Sequence, residues 1–226
     1  MPANLLNYSE MAQHRAAVRQ CYPTIWSIPF AYSSNFEMAA SHITPTARVL
    51  DIGASTRSFQ DHLRQHGFRG VYKSLDIDPA TQHDYRDLSA VSETFDTCLL
   101  LEVVEHITPA TLADLLAGIH RILTPGGTLM ISTPNIFHPY AFHLGGPGHI
   151  SAYPFDELGA YLQCHGFKDL NMFRLCQRHG WAWHLMRRLL GPTLNTYLGI
   201  DYAGQLMIVG ARADALPDAM TPTSPG

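Results

Sequence analysis

Cysteine is scarce in this chain of 226 residues: the four present, Cys21, Cys98, Cys164 and Cys176, have neither metal-ligand spacing nor the density of a disulfide scaffold. They read as reduced thiols of a cytoplasmic protein. Charge is scarce as well. Only 15% of residues are Asp, Glu, Lys or Arg and the net charge is −4, which argues against a general binder of nucleic-acid backbone. No apolar run reaches the roughly 18 residues that a membrane span needs. The stretch Met1 to Glu10 lacks a basic region followed by an apolar one, so no signal peptide is expected. The three-glycine fingerprint of dinucleotide sites is missing, and so are internal repeats. What is present is 46% apolar residues, enough for one large globular domain with a real core.

The chain is organised around the stretch from Val49 to Phe59. A short apolar run ends in Asp51, and small residues (Gly53, Ala54, Ser55) then open what reads as a helix from about Ser55. Strand, tight turn and helix N-terminus form the layout with which doubly wound α/β proteins hold a nucleotide-like ligand. Gly53 lets the backbone approach such a ligand closely. The Ser55 hydroxyl is suited to capping the helix. A second strand, Val71 to Leu75, ends in Asp76, Ile77, Asp78 and Pro79. An acid roughly 20–25 residues past the glycine turn is what a ribose site needs, because one carboxylate accepts from both hydroxyls.

Around these motifs, residues 5–20 read as a helix, followed by an aromatic stretch (Tyr22, Trp26, Phe30, Tyr32, Phe36) that reads as a lid over one edge of the core. Thr97 to Leu101 has the length and composition of a buried parallel strand. Thr108 and Pro109 then read as N-cap and first position of a helix. Leu112, Leu115, Leu116, Ile119, Ile122 and Leu123 give that helix an apolar stripe. Pro125, Gly126 and Gly127 read as a turn before a strand over Thr128–Thr133, and two further strands are expected at 167–175 and 205–211. The alternation implies an α/β fold with a mostly parallel sheet covered by helices on both faces. Three units follow: an N-terminal helical and aromatic lid (1–44), a main domain (45–212) and a disordered tail (213–226). The loop 134–153 and the insertion 177–200 would be substrate-side elements.

The blocks VLDIG (49–53), LDIDP (75–79), FDTCLLLEVVEHI (95–107), HRILTPGGTLMISTPN (120–135) and GHISAYPFDELGAYLQCHGF (148–167) occur in the order found in class I S-adenosylmethionine-dependent methyltransferases. In pattern the chain resembles most the ubiquinone-type O-methyltransferases and related small-molecule enzymes. The resemblance implies a Rossmann-like doubly wound seven-stranded sheet with its last strand antiparallel. It also implies S-adenosyl-L-methionine as cofactor and a methyl acceptor that is a small molecule or is lipid-linked. Carried over by position, Asp51 and Gly53 hold the methionine end, Asp76 the ribose, and Asp87 with Leu88 the adenine. Leu101 and Glu102 close beneath the sulfonium, and Ala54, Ser55 and Ile77 complete the cofactor-binding set.

Arg57 stands where such enzymes usually have glycine. It could pair with the cofactor carboxylate, turn to solvent or partly block the pocket. The last possibility motivates an alternative: a cofactor-binding protein without turnover, acting as a regulatory or scaffold partner. His149, on the Gly-rich loop, is the leading candidate base for a hydroxyl acceptor, with His106 second and His138 and His143 weaker. Glu102, Glu105 and His106 would share one face of a helical turn. They offer ligands for a hard divalent ion, although capping of the turn is the preferred reading and no metal is assigned. Residues 181–190, with Trp181, Trp183 and only His184, Arg187 and Arg188 polar, read as a helix with a wide apolar face. It would either pack on the domain, the preferred reading, or lie in a membrane interface.

Overall fold

The computed structural model describes residues 8–140, 146, 148–177 and 181–214. Seven strands, β1 (Phe30–Tyr32), β2 (Arg48–Ile52), β3 (Val71–Leu75), β4 (Phe95–Leu101), β5 (Leu123–Pro134), β6 (Phe167–Cys176) and β7 (Gln205–Arg212), form one sheet in the order β1-β6-β7-β5-β4-β2-β3. Strand β7 runs antiparallel to both of its neighbours, and every other pairing is parallel. The sheet is therefore Rossmann-like, mostly parallel, with an antiparallel last strand, as the resemblance implies. Among the described residues six α-helices accompany it: α1 (Tyr8–Cys21), α2 (Asn35–Ser41), α3 (Ser58–Gln65), α4 (Pro109–Ile122), α5 (Phe155–Cys164) and α6 (Trp181–Leu198).

The central strands are apolar at consecutive positions because both faces of the sheet are covered. Adjacent residues point to opposite faces. Leu50, Leu100 and Ile131 join the cluster that contains Leu112, Leu116 and Ile119 of α4. Val49, Leu99 and Met130 join Phe59 and Leu63 of α3 on the other side. Helix α4 starts as its sequence indicates: Thr108 Oγ1 accepts from Thr111 N at 3.2 Å, and Pro109 occupies the first turn.

Two local readings change. The Pro125–Gly127 segment is not a turn ahead of a strand but part of β5. Its pairing with β4 shifts register between Phe95 and Thr97, and Gly126 takes φ +71°, so the extra residues are absorbed as a bulge. The seventh strand lies in the aromatic stretch near the N-terminus. Phe30, Ala31 and Tyr32 pair in parallel with Arg174, Leu175 and Cys176 and form the outer edge of the sheet. Three residues after Pro29 carry no readable period, which is why only pairing with β6 reveals them. The carboxyl ends of β1, β2, β4, β5 and β6 thus meet along one rim.

Candidate functional site

The rim is entered at the end of β2. Gly53 has φ +77° and donates its N–H to Leu75 O at 2.8 Å, and a Cβ there would lie 2.5 Å from Val103 Cγ2. Conformation and space both demand glycine at this position. Ala54 N also reaches Leu75 O, and Ser55, at φ 43°, donates its N–H to Asp76 Oδ2 at 2.7 Å. Asp76 Oδ1 accepts from Asp78 N at 2.9 Å. The turn after β2 and the acid after β3 are therefore one unit, with Asp76 as its link. Ile77 stands beside it, 84% exposed.

Helix α3 begins at Ser58 rather than near Ser55, because Ser55 and Arg57 both sit in the left-handed region. Arg57 is the N-cap, and no side-chain bond caps the helix, so Ser55 does not serve as the cap. The Arg57 guanidinium lies over the Tyr72 ring, 5.9 Å from its centroid, with Nη2 3.5 Å from Asp84 Oδ2. The guanidinium therefore packs against β3 instead of standing free in solvent. Asp84 is anchored in turn by Ser74 N and Oγ and by Lys73 Nζ.

Asp51 is buried at the end of β2 and accepts a hydrogen bond from the Tyr72 hydroxyl. Burial pushes its pKa up to about 6; the charge of Asp76 also raises it, while the Tyr72 hydrogen bond and Arg57 hold it down. Asp87 caps a 3-10 turn over Leu88–Ala90, accepting from Ser89 N at 2.7 Å, and this bond pulls its carboxyl below the usual range. Leu88 is half-buried, and a Cβ on Gly118 of α4 would lie 2.5 Å from its Cδ2.

Leu101 ends β4 on the same rim. Glu102 follows with φ +57°, and its Oε1 accepts from Ser132 Oγ at 2.7 Å. Burial raises its pKa, opposed by hydrogen bonds from Ser132 and Gln205 and by the nearby His149 and His106. Asn35 Nδ2 donates to Ser132 Oγ at 3.3 Å, which ties α2 to this corner. Glu105 is 1% exposed and bonded to the Thr133 hydroxyl. Burial first, then the charge of Glu102, pushes it up to about 8. Its backbone oxygen accepts from Ile150 N and Ser151 N, and His106 Nδ1 bonds to Gly148 O at 2.9 Å. These bonds pin residues 148–151 onto the turn at 104–106.

His106 and His149 pack edge to face with centroids 4.8 Å apart. Ligand atoms of Glu105, His106 and His149 lie within 4.8 Å of one another. Glu102, expected in that group, is absent from it. Glu105 is a buried acid held by the Thr133 hydroxyl and His106 anchors the loop through Gly148 O; neither side chain caps the turn at 104–106. His138 lies further along the rim, and His143 falls outside the described residues.

Beyond this corner, at the ends of β1 and β6 and beside α6, a cavity of about 610 Å³ is lined by Trp26, Tyr32, Arg188, Asn195 and Tyr202 among others. Tyr202 also lines a neighbouring cavity of about 370 Å³ that reaches His138 and Gln205, and Gln205 hydrogen-bonds Glu102. Arg174 braces the wall of the larger cavity, donating to Trp26 O, Ile28 O and Asp201 Oδ1. Asn35, Tyr72, Asp84 and Gln205 were not singled out in the sequence. A hydroxyl at an alternating strand position was a faint signal for Tyr72, and the others had none.

A family model described as a methyltransferase domain matches residues 31–172. A comparison with curated proteins found no match. Among solved structures, a SAM-dependent methyltransferase from Archaeoglobus fulgidus is similar at TM-score 0.56 and 16% identity, over 89% of this chain and 94% of that one. An O-methyltransferase family protein from Burkholderia thailandensis is similar at TM-score 0.56 and 13% identity, over 91% of this chain and 60% of that one. A possible histamine N-methyltransferase from Thermotoga maritima is similar at TM-score 0.54 and 14% identity, over 91% and 100%. At these identities the likeness is one of fold.

Proposed function

Because the chain belongs to the methyltransferase domain family, matched over residues 31–172, we propose that it transfers the methyl group of S-adenosylmethionine to an oxygen of a small or lipid-linked acceptor. The residues present fit that cofactor. Asp76 uses one lone pair on each oxygen for the loop and keeps the others for two ribose hydroxyls. Gly53 leaves the turn without a side chain, and Asp51 supplies a buried acceptor for an ammonium group. Ile77 is exposed for a purine face, with Leu88 and Asp87 beyond it. When bound, the cofactor supplies an electrophilic methyl on a cationic sulfur, and in-line alignment provides much of the rate.

Oxygen transfer is carried by one observation: two imidazoles, His149 and His106, stand together at the end of β4, within electrostatic reach of Glu102. A hydroxyl acceptor must lose a proton as the methyl arrives, and a neutral imidazole nitrogen within reach can accept it. His149 is the base in this reading, and His106, held by Gly148 O, positions it. The acceptor would occupy the cavity bounded by Tyr32, Tyr202 and α6 and would reach Glu102 past Gln205. Exposed Leu185, Leu189 and Leu190 beside Arg188 on α6 would let the enzyme rest on a membrane and take up a lipid-linked acceptor there. No helix among the described residues is long and apolar enough to cross a membrane. Four free cysteines agree with a cytoplasmic setting.

The binding-only alternative drew on Arg57, which turns to Tyr72 and Asp84 rather than filling the crevice. The test is S-adenosylhomocysteine release with a panel of phenols and aliphatic alcohols against matched amines. His149→Ala is expected to lower turnover about 10²-fold while cofactor affinity is kept. Transfer only to amines, or unchanged turnover in that variant, would overturn the oxygen reading.

A further inference from the structure

Helix α1 lies across α5. Of the fourteen residues of α1 only Val18 is buried, so apolar contact alone holds it thinly. Arg15 and Arg19 both pair with the buried Asp156 of α5, at 3.1 and 2.8 Å. At the other end of the contact a different set of groups converges. Glu10 and His14, one turn apart on α1, bring ligand atoms within 4.8 Å of each other and of Cys164 Sγ at the end of α5.

Three features mark this corner as more than packing. His14 Nδ1 is 3.1 Å from Gln163 Oε1, an acceptor, so Nδ1 carries the proton and Nε2 keeps its lone pair. An outer carbonyl that sets the tautomer in this way is the usual partner of a metal-binding histidine. Cys164 Sγ is buried and lies 3.7 Å from the Met11 thioether, a weak acceptor. His165, 1% exposed, repeats the pattern: Nδ1 bonds Tyr161 O at 2.7 Å, and Nε2 is buried without a partner.

We propose that Glu10, His14 and Cys164 bind a zinc ion that staples α1 to α5, with water in the fourth position. Thiolate, imidazole and carboxylate together suit a borderline-soft divalent cation and not magnesium or calcium. On binding, the Cys164 thiol gives its proton to solvent and the sulfur becomes a ligand, with no oxidation or reduction. The site is separate from Glu105, His106 and His149 and does not depend on the methyl-transfer reading.

The full-length protein, stripped with chelator, is titrated with cobalt(II) and then zinc. One equivalent of cobalt should give a thiolate-to-metal charge-transfer band that zinc bleaches, and zinc should raise the thermal midpoint. Cys164→Ser should abolish the band. His14→Ala and Glu10→Gln, at half-buried positions that leave the packing intact, should each weaken zinc binding at least about tenfold. His149→Ala should leave the titration unchanged. Absence of a thiolate band, or full zinc affinity in both His14→Ala and Glu10→Gln, would overturn the proposal, whether or not Cys164→Ser folds.

Discussion

Asp51 and Asp76 stand one after the other along the crevice, yet their environments set them different tasks. Asp51 is buried with its pKa pushed up to about 6, so about half of it is protonated near pH 6. A raised acid of this kind contributes stability that is full below its unfolded value near 4 and is lost as pH rises through about 6. An ammonium group on a ligand would repay that loss. Affinity for S-adenosylhomocysteine, measured by calorimetry from pH 5 to 7.5, is therefore expected to rise up to about tenfold per unit below pH 6 and to level off above it. Asp51→Asn should bind more weakly and lose this slope; a flat wild-type profile would remove Asp51 from the site. Asp76 holds two backbone N–H groups of the loop, so Asp76→Ala should weaken the same ligand by about 1–3 kcal/mol. Unchanged affinity in a folded variant would place the ribose elsewhere.

Among elements, the edge pair β1 and β6 depends on a buried ion pair. Arg174 Nη1 donates to Asp201 Oδ1 at 2.9 Å, with side chains only 8% and 3% exposed, and Asn135 Nδ2 donates to the other oxygen at 2.8 Å. The guanidinium also lies over Phe30 and binds the carbonyls of Trp26 and Ile28, so it joins β1, β6 and the segment ahead of β7. Asp201→Ala leaves that cation buried without its partner and is expected to cost about 3–5 kcal/mol. The loss should appear in urea unfolding as a lower midpoint with an unchanged slope. A loss below about 1 kcal/mol would mean that water replaces the carboxylate. None of this was legible beforehand: β1 is too short to show a period, whereas the stripe on α4 was plain over four turns.

For the molecule as a whole, the exposed face of α6 bears on where the acceptor comes from. Leu185, Leu189 and Leu190 are 49%, 66% and 51% exposed, contrary to the packed arrangement preferred for this helix from its pattern. The side chains of Trp181 and Trp183 lie outside the described residues. Flotation with anionic vesicles is expected to carry the protein upward, and Leu189→Ser with Leu190→Ser should reduce the bound fraction severalfold without unfolding it, since neither side chain is in the core. No flotation of the wild type would point to a soluble acceptor.

The sequence by itself determined the α/β alternation, the strand–turn–helix at Asp51–Gly53, the acid after β3 and the helix cap at Thr108. Each is encoded in residues a few places apart, where backbone conformation and side-chain period act directly. Tertiary structure alone decided the rest. Ser132 brings Asn35 and Glu102 together from 97 and 30 residues away, and Arg57 finds Tyr72 and Asp84 only once β2 and β3 are paired. The edge strand β1, the cavity under α6 and the Glu10, His14 and Cys164 corner arise in the same way. They depend on which segments the sheet order sets side by side, and that order follows from burying both faces of the sheet at once rather than from any local run of residues.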